Sequence, residues 1–167
     1  MKRNGWEDNG GEALSPSPRR LHQGGARIII AVDRKRKRSS EAMPRISSRE
    51  FDLAVEQALD RIPEEFLRHI EEVTILVEEE PTEEVLADLG VPEGDTLFGA
   101  YFGVPAGEKS VFDSTIEPDV IVIYKRPLEA YCETLEELTE EIEITVVHEV
   151  AHHFGIDEEV LARYGYD

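Results

Sequence analysis

Cysteine is almost missing from this sequence: a single residue, Cys132, stands among 167. One thiol cannot close an internal disulfide, and without cysteines beside the histidines a structural zinc site of the Cys-rich kind is excluded. A reducing compartment fits, so a cytoplasmic location is expected. Long apolar runs are missing as well. Within residues 1–42 the only apolar patch is Ile28-Ile-Ile-Ala-Val32, and the basic run Arg34-Lys-Arg-Lys-Arg38 follows it rather than preceding it. That is too short, and in the wrong order, for a signal-peptide core, and neither secretion nor membrane insertion is indicated. No internal repeat is visible.

Positive charge is scarce over most of the chain. Residues 43–167 hold eight Lys/Arg against thirty-two Asp/Glu, a net of −24, whereas residues 1–42 hold ten against five, a net of +5. So acidic a body repels phosphate backbones, and eight basic residues can hardly build a groove against that field. Nuclease chemistry and nucleic-acid partners are therefore disfavoured, and nothing in the sequence reads a nucleotide or a sugar. Solubility is the ordinary explanation for negative charge on solvated helix faces. The first 42 residues, with Gly10-Gly11, Ser15-Pro-Ser-Pro18 and Gly24-Gly25, lack a sustained apolar period and read as a disordered basic tail. Met43 immediately precedes the first structured pattern, so a start at Met43 is the competing reading. A chain of 167 residues is one domain's worth, placed here at residues 43–167, and the chain's 40% hydrophobic content suffices for a modest core.

Helical and strand patterns alternate through that body. Ser47 with Glu50 makes a capping box, and Phe51, Ala54, Val55, Ala58, Leu59 and Ile62 follow at helical spacing before Pro63. A helical turn over 64–70, a strand over 73–79 and a short helix over 81–89 closed by Gly90 come next. Strands are predicted over 97–104 and 121–125, the latter apolar enough to be buried on both sides, with a turn at Pro105-Ala-Gly107 before 109–112. Thr134 with Glu137 suggests a second capping box, opening a long helix to Phe154 anchored by Ile142, Val146, Val147 and Val150. The expected class is α+β, a small mixed or antiparallel sheet with that helix packed across one face.

The long helix carries His148-Glu149-Val150-Ala151-His152. At about 100° per residue, His148 and His152 lie about 40° apart around the axis and one turn apart along it, so both imidazoles can reach one ion. Glu149 stands about 60° beyond His152, beside the ion without being forced to bind it, where a general base acting on metal-bound water belongs. Gly155 is placed to end the helix in the left-handed conformation and turn the chain back. With the sequence ending at Asp167, the third ligand is expected locally, among Asp157, Glu158, Glu159, Asp167 and the phenols of Tyr164 and Tyr166. Glu158 has the best spacing, and Asp157 is the alternative, which also reads as the N-cap of a short helix over 158–164.

These residues carry a resemblance. Val120-Ile-Val-Ile-Tyr-Lys-Arg-Pro-Leu-Glu129 and Thr145-Val-Val-His-Glu-Val-Ala-His-His-Phe-Gly-Ile-Asp-Glu-Glu-Val-Leu161 resemble the small bacterial zincin-like metallopeptidases, the minimal zincins, over roughly residues 45–166. The resemblance implies His148 and His152 as zinc ligands, Glu149 as catalytic base and position 158 as third ligand. The family pattern H-E-x-x-H-x-x-G-x-x-D has Asp where this chain has Glu158.

The expected function is a Zn2+-dependent metallopeptidase acting on a peptide or protein substrate, with Glu149 assisting attack by zinc-bound water. The alternative is a non-catalytic zinc-containing module that binds a protein partner. His153, about 140° around the helix from His148, is expected to pack rather than to catalyse, and Tyr164 and Tyr166 likewise, although all three are conceivable oxyanion donors. No second subdomain follows the motif, so the cleft is expected to be shallow, with substrate paired along an exposed sheet edge.

Overall fold

The computed structural model describes residues 43–71, 73–103 and 119–166. The 1–42 segment, the 105–107 turn, the 109–112 stretch and Asp167 lie outside these residues. Among the described residues nine elements follow one another: α1 (Ser48–Arg61), α2 (Glu64–Ile70), β1 (Thr74–Glu78), α3 (Glu83–Asp88), β2 (Gly99–Phe102), β3 (Val120–Tyr124), α4 (Lys125–Tyr131), α5 (Leu135–Phe154) and α6 (Glu158–Tyr164). The class is the α+β arrangement that the sequence pattern predicts.

Local chemistry explains where the helices begin. At α1 the Ser47 hydroxyl accepts from Glu50 N while the Glu50 carboxylate accepts from Ser47 N at 2.8 Å, a complete capping box. At α5 only half of the predicted box forms. Thr134 Oγ1 accepts from Glu137 N, but the Glu137 carboxylate takes the N–H of Glu133, one residue outside the cap. Helix α4 has no counterpart in the sequence reading. It starts on the residue after β3, with Pro127 in its first turn, a position where the missing N–H costs no helical hydrogen bond.

The three strands among the described residues form one mixed sheet in the order β1-β3-β2. β1 runs parallel to β3 with Thr74 opposite Val120, and β2 runs antiparallel to it with Gly99 opposite Ile123. All five residues of β3 are buried, as a central strand requires. Alternation sorts the side chains between two layers. Tyr101, Ile121 and Ile123 join the larger core with α1, α2 and α5, whereas Ala100, Phe102, Val120, Val122 and Tyr124 face Val85 and Leu89 on the α3 side. Helix α5 thus lies in the larger core, fixed by Ile142, Val146, Val147 and Val150, none of which has solvent exposure. Among the described residues no helix is long and apolar enough to cross a membrane.

Candidate metal centre and active site

Rigid burial of one α5 face leaves His148 and His152 on the opposite, half-buried side. Their rings are nearly parallel, 21° apart in plane, with centroids separated by 6.1 Å. His148 Nδ1 lies 3.1 Å from the carbonyl oxygen of Ile144, one turn earlier. A carbonyl can only accept, so the proton sits on Nδ1 and the lone pair is left on Nε2. Such a carbonyl contact fixes the tautomer and orientation of a metal-binding imidazole. Burial lowers the pKa of His152, the neighbouring His148 acts in the same direction, and Glu158 opposes both. Burial therefore favours the neutral ring, the form that can bind a metal.

The turn after α5 brings an acid back to these rings. Gly155 adopts φ +64°, and Ile156 N donates to Ala151 O at 2.8 Å, closing the helix in a left-handed cap. Helix α6 then begins at Glu158, whose Oε1 lies 3.3 Å from His152 Nε2. Two donors on a tetrahedral zinc, each bonded at about 2.0–2.1 Å, stand about 3.3–3.4 Å apart. The His152–Glu158 separation matches that edge. Asp157 occupies the N-cap position of α6 but makes no side-chain cap bond, and its carbonyl accepts from Val160 and Leu161. Of the two acids, Glu158 is the one in contact with an imidazole.

Among the described residues, no three His, Cys, Asp or Glu side chains stand together as a finished metal cage. The pairs His148/His152 and His152/Glu158 share His152, and the Glu158 side chain, 69% exposed, is free to rotate toward both rings. The donor set of two neutral imidazoles and a carboxylate suits zinc.

Glu149 is buried, with 1% of its surface exposed. Its Oε2 accepts from the main-chain N–H of Tyr101 at 3.1 Å, and its buried Oε1 has no hydrogen-bond partner. Burial pushes its carboxyl up to about 8, against the opposing pull of the Tyr101 N–H. A buried oxygen without a partner is costly unless another polar group meets it in the working state. A water beside the metal would be such a group, so the residues present fit a zinc site with a base at its side.

His153 is buried and stacked on the Tyr101 ring at 3.9 Å, and it also meets Phe154 edge to face. The hydroxyls of Tyr164 and Tyr166 donate to Glu65 and Glu143. All three conceivable oxyanion donors are thus engaged in packing or hydrogen bonds elsewhere. Of the two outer strands among the described residues, β2 lies against α5 with every residue buried, whereas β1 carries exposed and half-buried residues. Tyr101 is the site residue that sequence reasoning missed. Its contribution comes from the main chain, which carries no residue signature.

A family model described as zincin-like metallopeptidase matches residues 70–166, more than half of the chain. The chain belongs to the zincin-like metallopeptidase family. No curated protein matches the sequence. The span matched to the zincin-like family contains the sheet, α5 and α6, and with them both histidines, Glu149 and both candidate third ligands.

Proposed function

We propose that this zincin-like protein is a zinc-dependent peptidase in which His148, His152 and Glu158 hold the metal and Glu149 is the general base. The observation that carries this reading is the Glu149 carboxyl itself, on the residue next to His148 in α5: one oxygen is held by the Tyr101 N–H, and the other is buried and unpartnered. A zinc ion there would supply a Lewis acid that polarises the scissile carbonyl and makes water acidic at neutral pH. Glu149 Oε1 accepts a proton from the attacking water and returns it to the leaving amine; burial raises this carboxyl in the metal-free protein, and the positive charge of a bound cation beside it would draw it back toward the ionised form that a base requires. The Nδ1–carbonyl bond of His148 keeps its Nε2 aimed at one point through this cycle. A cytoplasmic setting accords with the single, buried thiol of Cys132.

Glu149→Gln keeps the shape of the side chain and removes its basicity. Turnover of a peptide library should fall by at least about 10²-fold while bound zinc stays at the wild-type amount. Unchanged turnover would sink the assignment of Glu149. Absence of any peptide hydrolysis in the zinc-loaded wild type, together with a Gln variant that keeps full function in cells, would favour the non-catalytic binding module.

A further inference from the structure

Three residues of α5, each one turn from the next, meet β2. Thr145 lies against Gly99, where an added Cβ would stand 2.7 Å from Thr145 Cγ2 and 3.1 Å from Val122 O. Glu149 accepts the Tyr101 N–H. His153 stacks on the Tyr101 ring, with centroids 3.9 Å apart and planes 18° from parallel. The strand is therefore in contact with the helix at three successive turns, and the middle contact is the carboxyl of the base.

Sheet register explains why that N–H is available. Tyr124 N donates to Phe98 O, so in the antiparallel pair of β2 with β3 the hydrogen-bonded partners are Phe98 with Tyr124, Ala100 with Val122, and Phe102 with Val120. Tyr101 falls between them, opposite Ile121, and its N–H points away from β3, on the side where β2 has no neighbouring strand among the described residues. A main-chain donor on a paired strand neither rotates nor titrates. Its reach is set only by how closely the strand approaches the helix.

We propose that Tyr101 is a positioning residue for Glu149: its N–H fixes Oε2 so that Oε1 is the oxygen left to take the proton, and its ring, stacked on His153, keeps the strand at bonding distance. Gly99 belongs to the same device, because only a residue without Cβ lets Thr145 come so close. Tyr101 itself is wholly buried, and Gly103 beyond it lies close against the Asp119 carboxylate and the Tyr101 ring, where a Cβ would stand 2.1 Å from Asp119 Oδ1 and 2.7 Å from Tyr101 Cε1. This role rests on the peptidase reading above, and it adds a requirement that the histidines and Glu149 alone do not impose.

The most selective test replaces Tyr101 with its α-hydroxy acid analogue, turning the amide between Ala100 and Tyr101 into an ester. That deletes one N–H outside the ladder and leaves the ring in place. The kcat for a peptide substrate should fall about tenfold or more, with KM within about twofold and zinc content unchanged. A kcat within about twofold of the unmodified enzyme overturns the proposal. Gly99→Ala should lower kcat in the same way by pressing the helix off the strand, and Gly99→Ala with Thr145→Ser, which removes the clashing methyl, should recover it. A Gly99→Ala enzyme with full kcat counts against the spacing argument.

A separate readout needs neither metal nor substrate. In metal-free protein the Tyr101 amide should exchange slowly with solvent deuterium, and Glu149→Ala should speed that exchange about tenfold or more. Exchange indifferent to position 149 overturns the contact. Lack of turnover in the unmodified zinc-loaded protein instead overturns the peptidase reading, so the two failures are distinct.

Discussion

Burying the Glu149 carboxyl removes its charged form from water and returns only one donor, the Tyr101 N–H. The folded protein therefore holds that proton up to about pH 8, whereas the unfolded chain releases it near the ordinary value of 4.5. With the folded pKa raised, stability is greatest below the unfolded value and falls as pH climbs between the two. Metal-free wild type should accordingly melt at a lower temperature at pH 8 than at pH 5, by an amount equivalent to a few kcal/mol, and Glu149→Gln should flatten most of that slope. Parallel melting curves for the two proteins at both pH values would remove the argument. The metal ligands give a second prediction at this scale. His148→Ala and His152→Ala should each lose bound zinc on elemental analysis, Glu158→Ala should lose most of it, and Asp157→Ala should keep it, because Glu158 alone of the two acids meets His152. Zinc lost from Asp157→Ala and kept by Glu158→Ala would reverse the assignment. The histidines, Glu149 and the pair of acids were legible in sequence because helix period and a glycine stop are local rules. Tyr101 was not, since its N–H reaches Glu149 across 48 positions by way of the sheet.

The corner between α5 and α6 is the element-scale feature that assembles the site. Gly155 at φ +64° reverses the chain, and the bond from Ile156 N to Ala151 O holds the reversal. A Cβ at Gly155 meets nothing within 4 Å, so the cost of a side chain there is conformational rather than steric. Gly155→Ala should therefore destabilise by about 1 kcal/mol or somewhat more. It should also weaken zinc binding, because α6 and Glu158 must shift to relieve the strain. Thermal melts with and without zinc check both effects, and a variant matching wild type in each would show that the corner is not what sets the third ligand. Such caps are readable from sequence, as are the capping box at α1 and the N-cap of α6 at Asp157. Helix α4 escaped because it has seven residues and begins directly where β3 ends. It is held by tertiary contact, with Leu128 wholly buried and Lys125 3.9 Å from the buried Glu129 carboxylate, rather than by any amphipathic period. Strand order was also hidden. β3, the last strand in the chain, lies between the other two, and only its apolar character hinted at a central place.

At the scale of the whole molecule, a net charge of −19 surrounds a site that is itself short of positive charge. Glu136 and Glu140 are exposed on α5, about three and about two turns before His148. Arg61 pairs with Glu136 at 2.9 Å, but an exposed pair of this kind offsets little of the surrounding field. A substrate approaching the histidines therefore meets a negative potential, which attracts lysine- and arginine-rich peptides and repels acidic ones. Because the effect acts through solvent over a distance comparable with the screening length, salt should weaken it. For a cationic peptide, kcat/KM should fall several-fold as ionic strength rises from about 0.05 to 0.5 M, for a neutral peptide it should stay within about twofold, and for an acidic peptide it should rise. The change should lie mainly in KM, since the charges act on encounter and leave the reacting atoms alone. Equal salt responses from all three peptides would mean that the acidic body serves solubility only and that selection occurs wholly at short range, among the groups in contact with the scissile bond.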